Sequence, residues 1–364
     1  MHAPRTTIWA MSDLTRTKHR ILQGYLEWWL PTMLQEHERV YFLDGFAGPG
    51  EYVGGAIGSP FIAIDTLLEH TSDAQKLKQV TFFFIEKHKR RYYYLHTLIN
   101  RRGLTQPAVA ELNYSIVKGD FTRAAPEQIT TIEKRARAFA PTFAFIDPFG
   151  FSDIPMSHIA QIMYHPHSDI LITFMYEEIN RFLSHPDQKI QRHFTKLFGT
   201  EQWRSIDLTG DREQQVCDLY RTQLQTVGNT KYVCMFRIKN QNNATDYFLV
   251  FGTRKLENIE KMKDVFWDID PYNGHTFEAA ANHYQLPLLQ PEPDYILLAQ
   301  QLQSHFKGTT TSTIQLLDEY IITKTDFRRK DREHALKYLE QISRISIIPS
   351  DSSYITKTDY IFFL

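Results

Sequence analysis

Residues 41–50 of the chain are Tyr41-Phe-Leu-Asp-Gly-Phe-Ala-Gly-Pro-Gly50, a short apolar strand that runs into a glycine-rich turn. Glycine lets the backbone approach a ligand closely, and Asp44 stands at the carboxyl end of the strand, where open α/β sheets bind small molecules. The glycines are spaced G-x-x-G-x-G, unlike the dinucleotide fingerprint G-x-G-x-x-G, and Pro49 removes a backbone donor. The segment therefore favours a nucleoside with a charged, non-phosphate tail, with a plain strand-to-helix turn as the alternative.

Short apolar runs alternate with helical patterns along the chain. The runs expected to form strands are Val40–Leu43, Val80–Ile85, Tyr114–Val117, Thr142–Ile146 and Ile170–Phe174. Continuous apolar strands separated by helices are typical of a parallel sheet that is covered on both faces. An amphipathic helix is expected from Lys18 to His37, and a hairpin of Tyr232–Ile238 with Asp246–Phe251 should add an antiparallel edge. The sequence predicts an α/β fold with a Rossmann-like, doubly wound, mostly parallel sheet.

Acidic residues follow four of these runs at the point where each strand ends. They are Asp44, Glu86, Asp120 and Asp147. Because the carboxyl ends of parallel strands lie on one edge of a sheet, these side chains are expected to converge on one crevice. A carboxylate there can accept hydrogen bonds from ribose hydroxyls, an adenine amine or an ammonium. For any single acid, a helix cap or a solvated turn is the alternative.

Composition excludes several classes of protein. Of the 364 residues, 42% are hydrophobic and 23% are charged, as in ordinary globular domains. The net charge of -1 gives no global electrostatic reason to bind nucleic acid, so such binding needs a local patch. Cys217 and Cys234 indicate neither a disulfide framework nor a zinc ribbon. With no signal-peptide pattern and no apolar run of membrane-spanning length, we expect a soluble, cytoplasmic protein.

A proline-rich stretch from Leu286 to Pro293 predicts a linker, because proline lacks a backbone donor and favours extended chain. We therefore predict two domains, residues 1–285 and residues 292–364. The second reads as three helices followed by a hairpin, an order typical of a winged helix and shared by other small α+β modules. Its third helix, from Asp326 to Gln341, would face nucleic acid, with protein docking as the alternative. The basic residues of its first turn are Arg328, Arg329, Lys330 and Arg332.

Several short motifs together resemble a known family. They are Asp44-Gly-Phe-Ala-Gly-Pro-Gly50, Gly58-Ser-Pro60, Phe84-Ile-Glu86, Gly119-Asp120 and Phe145-Ile-Asp-Pro-Phe-Gly150. In this combination the chain resembles the three-Cys-motif partner proteins, a bacterial family related to class I S-adenosylmethionine-dependent methyltransferases. The resemblance implies a class I methyltransferase-like fold with a carboxyl-terminal winged helix. The family's name also implies a protein with a three-cysteine motif as a partner.

The resemblance implies roles for individual residues. S-adenosylmethionine would be the cofactor, and its predicted contacts are Asp44, Gly45, Phe46, Gly48, Gly50, Glu86 and Asp120. Asp147, Pro148 and Phe149 stand where methyltransferases acting on exocyclic amines have Asp or Asn, two prolines and an aromatic residue. One proline is missing and the aromatic residue comes one position early, so the acceptor atom stays open. Either Phe149 or Phe151 is expected to stack on the base.

The leading functional hypothesis is methyl transfer from S-adenosylmethionine to a nucleic acid, with Asp147 at the acceptor. The alternatives are a non-catalytic escort for a cysteine-motif metalloenzyme and a winged-helix DNA-binding regulator. No metal site is predicted, because the fifteen histidines, among them His165 and His167, form no HExxH pair and none lies beside paired cysteines. The basic run Lys87-His-Lys-Arg-Arg91 is either solvated surface or a contact to phosphate.

Overall fold

The computed structural model describes residues 6–136, 140–280, 292–309, 312–348 and 360–364. The chain divides into two compact units, Met1–Lys255 with Phe277–Ala280, and Leu256–Thr276 with Ala281–Leu364. The predicted linker at Leu286–Pro293 lies mostly outside the described residues. The units divide after Lys255, whereas the predicted boundary lies between residues 285 and 292.

The first unit is built from alternating strands and helices. Its strands are β1 (Val40–Asp44), β2 (Val80–Glu86), β3 (Asn113–Lys118), β4 (Thr142–Ile146), β5 (Asp169–Phe174), β6 (Tyr232–Lys239), β7 (Thr245–Thr253) and β8 (Thr276–Glu278). Its helices are α1 (Asp13–Glu36), α2 (Ser59–His70), α3 (Ala74–Gln79), α4 (Lys89–Thr105), α5 (Pro107–Ala110), α6 (Phe121–Ala136), α7 (Met156–Ile162), α8 (Tyr176–Phe182), α9 (Gln188–Phe198) and α10 (Arg212–Thr226).

The strands form one eight-stranded sheet in the order β3-β2-β1-β4-β5-β7-β6-β8. The pairs β1/β2, β1/β4, β2/β3 and β4/β5 are parallel, whereas β7 runs antiparallel to β5 and β6. The predicted doubly wound, mostly parallel sheet with an antiparallel hairpin is confirmed. The order reverses between β1 and β4, which makes the carboxyl ends of these strands the topological switch point.

The register of the strands sets the positions of the acids at this edge. Asp44 lies level with Phe84 on β2 and with Phe145 on β4, so Glu86 and Asp147 each stand two residues farther along their strands. All five residues of β1 are buried, because apolar neighbours cover both faces of the sheet. One ring of this core, Phe42, stacks on Phe143 of β4 with centroids 6.0 Å apart.

Helix α1 supplies one wall of the functional edge. It begins five residues before the predicted start, because the Ser12 side chain caps it by accepting a hydrogen bond from the Thr15 amide. Its apolar face is fully buried from Ile21 to Leu30, and the Tyr25 hydroxyl donates to Asp169 Oδ2 at the start of β5. None of the described helices has both the length and the hydropathy that crossing a bilayer requires.

The second unit contains helices on a small antiparallel sheet. Its helices are α11 (Leu256–Ile269), α12 (Tyr295–Phe306), α13 (Ile314–Lys324) and α14 (Arg332–Gln341), and its strands are β9 (Ser312–Thr313), β10 (Ile345–Ile348) and β11 (Tyr360–Phe363), in the order β10-β11-β9. The predicted order, three helices followed by a hairpin, is present with α11 before it and β9 inserted between α12 and α13. The polar tip between β10 and β11 lies outside the described residues, and the winged helix stays a prediction. Helix α14 starts later than predicted, because Asp331 binds the amide and guanidinium of Arg328 in a tight preceding turn.

Helix α11 belongs to the second unit because of two polar anchors. The buried Lys263 ammonium donates to the carbonyl oxygens of Ile321 and Phe327, 3.0 and 3.1 Å away, and to that of Thr325. Trp267 Nε1 donates to the Asp326 carbonyl at 2.9 Å. A lysine satisfies unpaired carbonyls at the end of a helix such as α13. These bonds explain why the compact units divide before α11 rather than after it.

Candidate active site

A cavity of about 260 Å³ opens in the first unit at the carboxyl edge of the sheet, close to the smallest common ligand pockets of about 300 Å³. It lies at the switch point between β1 and β4. Its walls come from the amino-terminal segment, α1, the glycine turn and the residues after β4. They include Trp9, Lys18, His19, Phe46, Gly48, Gly50, Tyr52, Ser59, Asp147, Pro148, Phe149, Thr173 and Tyr247.

The three glycines predicted to contact the cofactor are required for different structural reasons. Gly48 has a left-handed backbone with φ +64°, and the nearest atom to an added Cβ would be Trp9 Cη2 at 3.9 Å, so the space beside it is open. Gly50 has φ +85°, and a Cβ there would come within 2.8 Å of both Leu95 and Phe61. A Cβ on Gly45 would lie 2.7 Å from the Phe121 ring. Gly48 therefore leaves open space at the cavity, whereas Gly45 and Gly50 allow close packing, and Gly50 also lines the cavity.

Asp44 lies beneath the glycine turn with its side chain fully buried. Its Oδ1 accepts a hydrogen bond from the Phe46 amide at 3.1 Å, and its Oδ2 has no hydrogen-bond partner within the described part of the chain. Burial raises the pKa of Asp44 to about 7, although the Ser59 hydroxyl and the Phe46 amide oppose the shift. Ser59 also lines the cavity. A buried carboxyl with an unpaired oxygen is suited to a cation.

None of the three predicted cofactor acids, Asp44, Glu86 and Asp120, is among the residues that line this cavity. Glu86 is buried and accepts a hydrogen bond from the His88 amide at 2.5 Å, and burial raises its pKa. Asp120 forms an ion pair with Lys87 at 2.5 Å and accepts hydrogen bonds from the amide and hydroxyl of Thr122. The structure therefore places the acids along one edge, as the strand register requires, but gives Glu86 and Asp120 partners within the protein.

Asp147 is held by a lysine that sequence reasoning did not single out. Lys18 Nζ lies 2.5 Å from both Oδ1 and Oδ2 of Asp147, and the two side chains are 9% and 23% exposed. The ammonium also lies 5.4 Å from the centroid of the Tyr247 ring. The Asp147 carboxylate is thus bound on both oxygens. Each oxygen keeps a second lone pair, so Asp147 can accept a further hydrogen bond from a substrate amine while the ion pair with Lys18 persists.

Aromatic side chains cover the cavity beside Asp147. The Phe149 ring meets Trp9 edge to face with centroids 6.0 Å apart, and the Arg91 guanidinium lies 4.9 Å from Trp9 and 5.5 Å from Phe149. The amino-terminal segment is fixed there by the Val53 amide, which donates to the Trp9 carbonyl at 2.9 Å. Phe151, the other predicted stacking residue, is buried in the core against Phe194 with centroids 4.6 Å apart.

Sequence reasoning also missed most of the other residues that line the cavity. The ring-bearing ones among them are Trp9, His19, Tyr52 and Tyr247. Burial, with the nearby Lys18 charge, lowers the pKa of His19 to about 3, so this imidazole is neutral at physiological pH. Burial also raises the pKa of both tyrosines, and the Tyr247 hydroxyl donates to the Leu14 carbonyl at 3.0 Å. Tyr247 was noticed only as part of a strand motif, which carries no signal for a position on the cavity wall.

The predicted nucleic-acid residues of the second unit lie together before and at the start of α14. Each faces an acid within that unit, and the pairs are Arg328 with Asp331, Arg329 with Glu260, Lys330 with Asp264 and Arg332 with Asp318. Arg328 and Arg332 are only 13% and 14% exposed. Lys330 is 65% exposed and lies 4.0 Å from its partner. Three of the four charges are therefore engaged in ion pairs that hold the unit together.

Comparison with known proteins finds similarity to solved structures, among them the following two. One is protein LPL1258 from Legionella pneumophila, of the family model DUF519, with 12% identity and a TM-score of 0.34 over 64% of this chain and 84% of that one. The other is the methyltransferase domain of bacterial CtHen1-C, with 9% identity and a TM-score of 0.31 over 65% of this chain and 100% of that one. No protein-family model matches the sequence, and no curated protein matches it significantly.

Proposed function

We propose that the protein is an S-adenosylmethionine-dependent methyltransferase that acts on a nucleic acid. The observation that supports this most directly is the cavity at the switch point, which joins the glycine turn at Gly48 to Asp147, Pro148 and Phe149. The first group is predicted to hold the methyl donor and the second the acceptor. Transfer between two bound groups depends chiefly on proximity and orientation, so a shared cavity is the arrangement that this reaction needs.

Two features at the end of β1 and in the glycine turn suit the charged end of the cofactor. Asp44 has a buried, unpaired carboxyl oxygen, and Gly48 leaves open space beside a left-handed backbone. Such a carboxyl and such a turn would hold the ammonium and the adjoining chain of the cofactor. When bound, S-adenosylmethionine supplies an activated methyl group.

Lys18 would orient Asp147 toward the acceptor. An acceptor amine would donate a hydrogen to a remaining lone pair of one Asp147 oxygen while the ion pair with Lys18 persists. The Phe149 ring, on the same wall, would pack against the base. His19 is uncharged in this setting, so it adds no charge beside the Lys18–Asp147 ion pair.

Replacing Gly48 with Val is expected to weaken binding of S-adenosylmethionine by at least about tenfold, because the side chain would fill the open space beside the turn. Isothermal calorimetry with the cofactor and with its demethylated product measures this. Gly54→Val is the matched control: Gly54 also has a positive φ, +89°, but has no atom within 4 Å of an added Cβ and does not line the cavity. Both variants carry similar backbone strain, and only the first should lose affinity. Absence of heat with the wild-type protein at millimolar cofactor would rule out the proposed function.

A basic patch beside the cavity supports a nucleic acid as the acceptor. Lys87, His88, Lys89 and Arg90 are all exposed, and they lie at the carboxyl end of β2, on the same edge as the cavity. The next residue, Arg91, contacts Trp9 and Phe149 on the cavity wall. The patch is therefore placed to bind the phosphates that flank a base entering the cavity.

Replacing Lys89 and Arg90 together with Gln is expected to lower affinity for DNA or RNA. It should also reduce the slope of log affinity against log salt, by about 0.9 for each duplex phosphate that is no longer neutralised. Fluorescence anisotropy over a salt series measures both. Lys330→Gln with Lys337→Gln, which removes two exposed charges of the second unit, is the control and should leave the slope unchanged. If this control pair changes the slope and the first pair does not, the winged helix is the nucleic-acid grip.

A non-catalytic escort is the second candidate, and the Lys18–Asp147 ion pair favours it. A carboxylate bound on both oxygens is satisfied without any acceptor. In that case the protein would bind the cofactor and transfer no methyl group to DNA or RNA. A methylation assay with tritiated cofactor on the full-length protein distinguishes the two functions.

A further inference from the structure

Two histidines far apart in sequence meet at the amino-terminal edge of the sheet, opposite the cavity. His37 follows the last residue of α1, and His167 lies two residues before β5. His37 Nε2 is 3.0 Å from His167 Nδ1, and the rings meet edge to face with centroids 4.8 Å apart. Glu36 adds a carboxylate whose Oε2 is 3.8 Å from His37 Nε2. One ligand atom from each residue lies within 4.8 Å of the others.

We propose that Glu36, His37 and His167 form a site for a divalent transition metal, with zinc as the best match. Two imidazole nitrogens and a carboxylate oxygen are ligands that zinc prefers, and three protein ligands leave a fourth position for water. Two nitrogens on one tetrahedral zinc, each at about 2.0–2.1 Å, lie roughly 3.3 Å apart. The observed 3.0 Å therefore requires only a small separation of the rings.

The surroundings hold the ligands in place and allow access from solvent. The His167 amide donates to His165 Nδ1 at 3.2 Å, which orders the loop before β5. The Glu36 side chain is 50% exposed and that of His37 is 24% exposed.

Lys255 is the charged group that opposes the site. Its Nζ lies 3.7 Å from Glu36 Oε2, so it competes with a cation for the carboxylate. A metal would have to draw the Glu36 side chain away from Lys255. Removing this positive charge should strengthen metal binding, an effect that would not occur if the histidines merely shared a hydrogen bond.

The test is calorimetric titration of the chelator-treated, full-length protein with ZnCl₂, together with the visible spectrum of the Co²⁺ form. We expect one equivalent of tight binding and the absorption of a four-coordinate cobalt site. His167→Gln, which keeps a hydrogen-bonding side chain, should weaken binding by more than about 100-fold, and Lys255→Gln should strengthen it several-fold. His96→Ala, an exposed histidine on α4, is the control and should change nothing.

Two results would overturn the site. One is a wild-type protein that takes up no zinc at stoichiometric concentration. The other is a His167→Gln variant, folded by circular dichroism, that binds zinc as tightly as the wild type. In either case His37 and His167 are a hydrogen-bonded pair only.

Discussion

Asn in place of Asp147 is expected to lower the rate of methyl transfer by about 10²–10³-fold while the dissociation constant of S-adenosylmethionine changes little. Asp147 is proposed to hold the acceptor rather than the donor, and removal of one such transition-state interaction typically costs about 3–4 kcal/mol. Asn preserves the size of the side chain and one oxygen for Lys18, so the cavity wall should keep its shape. Single-turnover transfer from labelled cofactor gives the rate, and calorimetry gives the affinity.

A control for Asp147→Asn measures how much the Lys18–Asp147 ion pair contributes to stability. Asp147→Ala would leave the Lys18 ammonium, 9% exposed, without its partner, whereas Lys18→Met would leave a carboxylate that is 23% exposed. A charge left unpaired in a more buried place destabilises more, by up to about 3–5 kcal/mol for a fully buried ion. Urea denaturation should therefore give a lower free energy of unfolding for Asp147→Ala than for Lys18→Met. If Asp147→Asn loses cofactor affinity and transfer equally, Asp147 belongs to the donor side and the acceptor role is abandoned.

The architecture of the first unit could be predicted because its signals are local. Continuous apolar strands separated by helices are the direct consequence of a parallel sheet buried on both faces, and the acids at their ends follow from strand register. Asp44, Glu86 and Asp147 do lie along one edge of the sheet. What the spacing could not show is which carboxylates face the cavity, because that depends on side-chain partners such as Lys87, which binds Asp120.

The remaining cavity residues could not be predicted because their signal is non-local. Lys18 lies on a helix whose apolar periodicity predicts packing, and its contact with Asp147 joins residues 129 positions apart. The histidine pair is hidden for the same reason, since His37 and His167 are 130 residues apart and match no short metal motif. Helix α1 places Lys18 at the carboxyl edge of the sheet and ends next to His37 at the opposite edge.

The basic turn before α14 shows that a count of charges does not reveal which of them are paired in the fold. The sequence places four basic residues within five positions, Arg328, Arg329, Lys330 and Arg332, and predicts a nucleic-acid contact with protein docking as the alternative. Asp318 lies on another helix and Glu260 on a third, and the fold brings both acids against these guanidinium groups. A guanidinium paired with a carboxylate has less charge to offer a phosphate, and nucleic-acid binding by this turn stays a prediction.

Asp44→Asn is expected to stabilise the protein at pH 8 and to weaken cofactor binding at the same time. The folded-state pKa of Asp44 is about 7, against 3.8 for the ordinary side chain. Because the folded state binds the proton more tightly, the free energy of unfolding falls as pH rises between these values, by about 1.4 kcal/mol per pH unit for one group. Between pH 5 and pH 8 the free energy of unfolding of the wild type should therefore fall by roughly 3 kcal/mol. The Asn variant mimics the neutral acid and should not show this fall. Urea denaturation at both pH values measures the difference.

Binding should respond to pH in the opposite direction. An ammonium is held by the ionised carboxylate, so wild-type affinity for S-adenosylmethionine should rise from pH 6 to pH 8. The Asn variant should bind weakly at both pH values, and at pH 8 its affinity should be lower than that of the wild type by about tenfold or more. Asp73→Asn is the matched control, because Asp73 is an exposed helix cap where Asn serves equally well. Above neutral pH the ionised Asp44 would lower the stability of the fold and raise the affinity for S-adenosylmethionine. Both effects together would indicate that the residue serves ligand binding rather than folding. If Asp44→Asn stabilises the fold and leaves cofactor affinity unchanged at every pH, Asp44 has no role in binding.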